Sequence, residues 1–372
     1  VPADQPADVP TAPSVAPGEA WFAGRRGRGV VERVDVGAEP ARLLTPGWWA
    51  VVGTFEGRVT AWRFAEVGPD RATADPARWH GPDAAAWTTS LDRDAYVAAV
   101  DHVRGDIREG RVYQANVCRV MSAPLAPPGA DRGRGPVEPD ARALHARLAA
   151  GNPAPFAGGV HVPGEAWVVT ASPELFLRVE AGAGTGFVTS GPIKGTAPTP
   201  AGLTDKDRAE NVMITDLVRN DLQHVCAPGS VEVTELLAEQ QHPGLVHLVS
   251  TVRGRLADPA SPTLWRDLLD ATYPPGSVSG APKSSALDVV AELEPVPRGP
   301  YCGAVGWVEV AQDGALRAEL AVAIRTFWWT AERGGTLRFG TGAGITWASD
   351  PAAEWAETEL KAARLVGLAS SR

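Results

Sequence analysis

Lysine is conspicuously short in this chain of 372 residues: four, Lys194, Lys206, Lys283 and Lys361, stand against 31 arginines. Cysteine is scarce as well. Cys118, Cys226 and Cys302 are odd in number, widely spaced and not arranged as CxxC, which excludes a disulfide framework and a zinc ribbon and leaves them as core thiols. A surplus of positive charge is missing too: the net charge is −9, so nucleic acid is not an expected partner. No apolar run reaches the roughly 18 residues of a membrane helix, and residues 1–18 lack the basic start and apolar stretch of a signal peptide. The expectation is a cytoplasmic protein with no membrane partner.

What is present is ordinary globular material, 44% hydrophobic and 21% charged, enough for one large domain or two interlocked ones. The lysines then become informative. Arginine stays charged at any working pH, whereas a lysine ammonium can lose its proton and attack carbon. A coding bias would explain why lysine is rare but not where it is kept: all four fall after residue 190, three of them in dense polar motifs. Lys194, in Gly191-Pro192-Ile193-Lys194-Gly195-Thr196, is the first candidate nucleophile.

Residues 1–18 are rich in Pro and Ala and read as a disordered leader; 19–89 as a short β-rich region packed on the core; 90–372 as the catalytic domain. The run from Trp48 to Phe64 reads as a hairpin around Glu56-Gly57. Residues 92–109 read as an amphipathic helix with Tyr96, Val97, Val100 and Val103 on one stripe, followed by a strand over 112–120 and a Pro/Gly-rich surface loop over 124–140. A strand pair is expected at 166–171 and 175–179. A helix over 206–222 would bury Met213, Ile214, Leu217 and Val218. Further strands are expected at 304–310, 320–329 and 336–340, and a final helix starts with Asp350 as N-cap and Pro351 at its first position. Strands come in meandering groups, so the expected class is α+β, with antiparallel sheets in a sandwich-like core and flanking helices.

Two helices carry paired carboxylates three residues apart, Asp207 with Glu210 and Glu354 with Glu357, each pair projecting from one face. If the two faces meet they make a hard-oxygen cage suited to Mg²⁺. Lys361 shares the Glu354 stripe. The competing reading is a solvated helix face, since Glu357 and Lys361 have the spacing of a surface pair. Ahead of the last helix, Gly340-Thr341-Gly342-Ala343-Gly344-Ile345 offers backbone N–H groups to an anion. Gly276-Ser277-Val278-Ser279-Gly280-Ala281-Pro282-Lys283 adds two hydroxyls and an ammonium in a loop before a helix. Arg325, the one charge in the apolar run 320–329, needs an anionic partner. His247 reads either as a satisfied core histidine or as a proton carrier.

Taken together and in order, GRVYQANV (110–117), SPELFL (172–177), GPIKGT (191–196), DRAENVMITDLVRNDL (207–222), LVHLVSTVRG (245–254), GSVSGAPK (276–283), RGPYCGAVGW (298–307), AIRT (323–326) and GTGAGITWASDPAAEWAETELKA (340–362) resemble the chorismate-utilising enzymes over roughly residues 90–370. Gln114 stands where the water-adding isochorismate and salicylate synthases of that family carry a lysine. Lys194 stands where anthranilate synthases read PIAGT. The lysine resembles the branch that forms 4-amino-4-deoxychorismate for p-aminobenzoate supply.

The resemblance implies that Lys194 attacks C2 of chorismate as the C4 hydroxyl leaves, after which ammonia enters at C4 and expels the lysine. It implies Glu174 as general acid, which requires a raised pKa, and a Lys194 with a lowered one. It places His247 near the reacting carbon, and Gln114, Thr196 and Ser277 around the substrate. Tyr301, Arg325 and the Gly342, Ala343 and Gly344 backbone would hold the enolpyruvyl carboxylate, and Lys361 would contact a substrate carboxylate. Mg²⁺ on Asp207, Glu210, Glu354 and Glu357 would bind the ring carboxylate. No cysteine sits in a Gly-rich nucleophile elbow, so a separate glutaminase subunit is the expected ammonia donor. Thr199 replaces an arginine usual in the family, and the region before residue 90 is too poorly matched to imply a tryptophan pocket.

Overall fold

The structure, a computed structural model, describes residues 15–71, 74–126, 138–197, 199–242 and 245–371. Among the described residues seven helices flank the sheet: α1 (Arg93–Glu109), α2 (Ala141–Gly151), α3 (Asp205–Gln223), α4 (Leu264–Thr272), the single turn α5 (Gly276–Ser279), α6 (Lys283–Leu293) and α7 (Pro351–Ala369). Their ends follow the sequence. Asp92 accepts a hydrogen bond from Ala95 N, and α1 stops at Gly110 in the left-handed region with φ 79°. Asp350 caps α7, whose first turn begins with proline.

The strands form one continuous antiparallel ribbon. From one edge it runs through Glu232–His242, Leu245–Arg255, Thr185–Gly191, Leu175–Gly182, Leu316–Val322, Ala304–Val310 and Gly47–Gly53. It continues through Val59–Pro69, Arg25–Asp35, Ala16–Phe22, Phe156–Val162, Ala166–Ser172, Thr326–Thr330, Thr336–Ile345 and Gln114–Pro124. The short strand Ile193–Ala197 also pairs with Leu245–Arg255. The ribbon curls until its two ends face each other: a methyl group built on Gly344, near one end, would lie 3.2 Å from Lys194 Nζ, near the other. The mixed helix and antiparallel sheet is the α+β class expected.

Several boundaries differ from expectation. A strand begins at Ala16, so the leader does not extend to residue 18; residues 1–14 lie outside the described residues, as does most of the loop expected over 124–140. The strands of the 19–89 region are hydrogen-bonded into the middle of the ribbon, between Ala304–Val310 and Phe156–Val162, not merely packed on it. Helices α2 and α4 were not anticipated. The strand after α1 starts at Gln114 and runs to Pro124.

The run 320–329 is two strands, Leu316–Val322 and Thr326–Thr330, and Arg325 sits in the break with φ 55°. Likewise Ala166–Ser172 and Leu175–Gly182 do not pair with each other but with different neighbours. These two breaks are one feature. Val322 N donates to Glu174 O at 3.0 Å and Ala171 N to Arg325 O at 3.0 Å, so both chains cross between limbs of the ribbon side by side. Each half is apolar and strand-like, so alternation alone could not reveal the crossing. Its consequence is functional, because Glu174 and Arg325 both sit at the crossing.

Candidate active site

The crossing fixes Glu174. Its backbone N–H donates to Ser172 Oγ at 3.2 Å, and that hydroxyl donates to Val322 O at 2.6 Å. The side chain is 3% exposed. Burial pushes its carboxyl up to about 7, against the opposing pull of hydrogen bonds from Ser277 and the Ile193 backbone and of the Lys194 charge. Glu174 therefore keeps a substantial protonated fraction at neutral pH, as a general acid must.

Lys194 projects from the strand Ile193–Ala197. Burial of its ammonium lowers its pKa, and Lys361 adds to the effect, while Glu210, Glu174 and Glu357 oppose it. It makes no salt bridge among the described residues. Gly195 follows with φ 88°, and a methyl group there would lie 2.8 Å from Asp207 Cβ; only glycine lets the lysine strand pass this close to α3. Asn211, fully buried on α3, donates to Leu248 O at 2.9 Å and accepts from Ser250 Oγ. It ties the helix to the strand beside Lys194.

Facing Lys194 are Gln114 and Asn116, on the same side of Gln114–Pro124. Gln114 is 0% exposed, and neither its Nε2 nor its Oε1 has a hydrogen-bond partner. Asn116 Nδ2 donates to Ser277 O at 3.0 Å, leaving its buried Oδ1 unpartnered. A methyl group on Gly344 would come within 2.2 Å of Gln114 Nε2 and 2.8 Å of Asn116 Oδ1. Glycine thus keeps open a small polar space whose donors and acceptors have no protein partner, a space that calls for a polar ligand. Asn116 was missed in the sequence although the i, i+2 spacing from Gln114 places it on the same strand face.

The glycine-rich segment 340–345 is not a loop. It is the second half of Thr336–Ile345, paired with residues 115–120; beyond Phe339 its other edge pairs with no strand among the described residues. A methyl group on Gly340 would lie 2.0 Å from the ring of Tyr301, so the ring packs directly on the strand, buried, with Cys118 Sγ donating to its hydroxyl at 3.9 Å. Arg325 makes no salt bridge among the described residues; Nη1 donates to Lys361 O at 3.4 Å, and burial lowers its pKa. Its need for an anion therefore stands. Lys361 Nζ lies 2.6 Å from Glu357 Oε1 and donates to Gly342 O at 3.0 Å.

His247 is buried, opposite Thr196 and Gln240 in the ladder. Ser277 is buried in α5. Lys283, in contrast, is structural: its ammonium is bound to Asp221 Oδ2 at 2.8 Å and Thr272 O at 3.1 Å, so the segment 276–283 contributes Ser277 but not a free ammonium.

Helices α3 and α7 do bring their carboxylates toward each other, but with lysine between them. Lys206 Nζ lies 3.1 Å from Glu354 Oε1 and 3.6 Å from Glu210 Oε1. Burial raises the Glu210 carboxyl despite Lys194 and Lys206. At Glu357 burial is outweighed by Lys361, Lys206 and Lys194, and its pKa falls. Asp207 is partly committed elsewhere: Thr204 N and Oγ1 donate to its Oδ2 at 2.8 and 2.6 Å, and Thr204 Oγ1 accepts from Asp207 N, a reciprocal capping box on α3. Among the described residues no three His, Cys, Asp or Glu side chains are gathered as a finished metal site. The donor set nonetheless fits a hard divalent cation in its chemistry: it is all carboxylate, and Glu210 Oε1 is buried without a hydrogen-bond donor.

A buried acid, a desolvated lysine, an arginine with no salt bridge among the described residues and a carboxylate seam around one polar space have the chemistry of an enzyme site for a small anionic substrate. A family profile described as chorismate binding enzyme matches residues 65–367, and the chain belongs to that family. It is 37% identical over 302 residues to anthranilate synthase component 1 of Streptomyces coelicolor, covering 77% of this chain and 53% of that one. It is 34% identical to aminodeoxychorismate synthase component 1 of Salmonella typhimurium, covering 76% and 59%. The chain thus spans a little over half the length of these relatives. In fold it is similar to anthranilate synthase component I of Streptococcus pneumoniae, with TM-score 0.70, 21% identity and coverage of 98% and 95%. It is likewise similar to the menaquinone-specific isochorismate synthase of Escherichia coli, with TM-score 0.71, 17% identity and coverage of 97% and 90%. No helix among the described residues is long and apolar enough to cross a membrane.

Proposed function

We propose that the protein aminates chorismate at C4, acting as the synthase component that makes 4-amino-4-deoxychorismate with ammonia from a glutaminase partner. The observation that carries this is Lys194: a buried primary amine with a lowered pKa, facing a buried Glu174 whose pKa is raised to about 7, across from the polar space at Gln114, Asn116 and Gly344. Lys194 in its neutral form attacks C2 of the ring. Both ring double bonds shift, from C1–C2 and C5–C6 to C1–C6 and C4–C5, and the C4 hydroxyl leaves as water with the proton of Glu174. Ammonia then adds at C4, both double bonds shift back, and the C2–N bond to Lys194 breaks, releasing the amine. Arg325 and Tyr301 orient the enolpyruvyl carboxylate beside the open edge at Gly342 to Gly344, and Lys361 steadies a substrate carboxylate. Glu210, Glu354 and Glu357, with Asp207 through its remaining oxygen, would hold Mg²⁺. When bound, that ion would neutralise the ring carboxylate.

Mass spectrometry of products from purified protein, chorismate, Mg²⁺ and ammonium chloride tests the assignment. Aminodeoxychorismate is expected, converting to p-aminobenzoate only when a lyase is added. The relatives in Streptomyces coelicolor and elsewhere that are anthranilate synthases favour a second reading, amination at C2; anthranilate formed without any lyase would establish that reading and remove the first. Unconsumed chorismate would leave only a non-catalytic scaffold for a glutaminase.

A further inference from the structure

Lys206 has no part in the chemistry proposed for Lys194, yet its ammonium stands where the α3 and α7 carboxylates converge. It is 3.1 Å from Glu354 Oε1 and 3.6 Å from Glu210 Oε1. Glu354 is 3% exposed, and Glu210 Oε1 is buried. Two carboxylates withdrawn from water this close repel each other and need a cation between them. A lysine supplies one charge, and does so from a flexible stem. The Lys206 side chain remains 41% exposed, so its ammonium borders solvent into which it can swing. Lys361 differs, because a second bond to Gly342 O anchors it.

We propose that Lys206 is a built-in counter-ion that occupies the carboxylate seam until a divalent cation displaces it. The inference rests on reading α3 and α7 as a cation site. Because the carboxylates are already neutralised in part, cation binding must break the Lys206 pairs, which lowers the affinity for the cation. The same pairs keep the metal-free site from being forced open by its own charge. Lys206 is thus a positioning residue that sets how strongly the site retains a metal.

Calorimetric titration of metal-stripped protein with Mg²⁺ alone tests this in wild type, Lys206→Met and Lys206→Arg. Lys206→Met is expected to bind Mg²⁺ about tenfold more tightly, the scale of removing one competing charge a few ångströms away. Metal-free, it should melt below wild type and gain more on Mg²⁺ saturation; Lys206→Arg should stay near wild type or bind more weakly. Equal affinity of Lys206→Met and wild type overturns the inference while leaving the cation site intact. No Mg²⁺ uptake by any of the three removes the cation site and the inference with it.

A second measurement needs no variant. With only four lysines, acetylation by acetic anhydride followed by peptide mass spectrometry reads each amine separately. Lys206 should react severalfold faster in saturating Mg²⁺ than without it. Lys283, bound to Asp221 and Thr272, should not change. An unchanged Lys206 rate in protein that demonstrably binds Mg²⁺ overturns the inference.

Discussion

Lys194 and Lys206 lie twelve residues apart in the chain, share Glu210 and Glu357 among the carboxylates that act on them, and are shifted in opposite directions. Around Lys194 burial dominates and the pKa falls; around Lys206 burial is outweighed by Glu354 and Glu210 and the pKa rises. The difference is contact. Lys206 touches its carboxylates, so their attraction exceeds the cost of lost hydration, whereas Lys194 faces them across a gap and loses hydration without a pair. One site therefore contains a dry end, where an amine and an acid are driven toward neutrality, and a charged seam, where opposite charges are matched. The nucleophilic attack proposed above belongs at the first, and the proposed cation binding at the second.

The strongest way to break this contrast is Lys194→Ala. Aminodeoxychorismate formation is expected to fall by about a thousandfold or more while chorismate binding, read by calorimetry, changes little; an unaltered rate would remove the covalent role. Next is Glu174→Gln, expected to slow turnover about 100- to 10,000-fold. In wild type, kcat/KM should decline as pH rises past about 7, where Glu174 ionises.

The same substitution has a stability signature that no catalytic argument is needed to read. A carboxyl whose folded pKa is raised from 4.5 to about 7 penalises the fold increasingly as pH rises between those values and fully above them. Glu174→Gln should therefore be the more stable protein at pH 8, by about 3 kcal/mol at most, with the gap closing toward pH 4. Denaturant unfolding at the two pH values decides it.

Smaller effects sharpen the picture. Gln114→Leu removes two buried polar atoms that lack partners. It should stabilise the protein by about 1 kcal/mol while raising KM for chorismate about tenfold; a loss of stability would mean that the amide is satisfied in the free protein. Thr204→Ala opens the capping box on α3 and should cost about 1 kcal/mol in unfolding experiments. If Asp207 serves chiefly as a cap, Mg²⁺ affinity will stay the same.

Much of this site was legible along the chain. The helix expected over 206–222, the cap at Asp350, the hairpin of Gly47–Gly53 with Val59–Pro69, and the motifs around Lys194 and Glu174 are local signals. The crossing at Pro173-Glu174 and Ala323–Arg325 was not legible, because both flanks of each break are apolar strands. Nor was the role of Lys206, which differs from Lys283 only in which carboxylates the fold delivers to it.

The sequence by itself determined which chemical groups are available and which element carries each, since caps, turn residues and apolar periodicity act over a few residues. Only the tertiary structure decided their state. Whether a lysine is a nucleophile, a counter-ion or a strut depends on water excluded and charges supplied by segments far away in the chain, and those are set when the two ends of the ribbon close on each other.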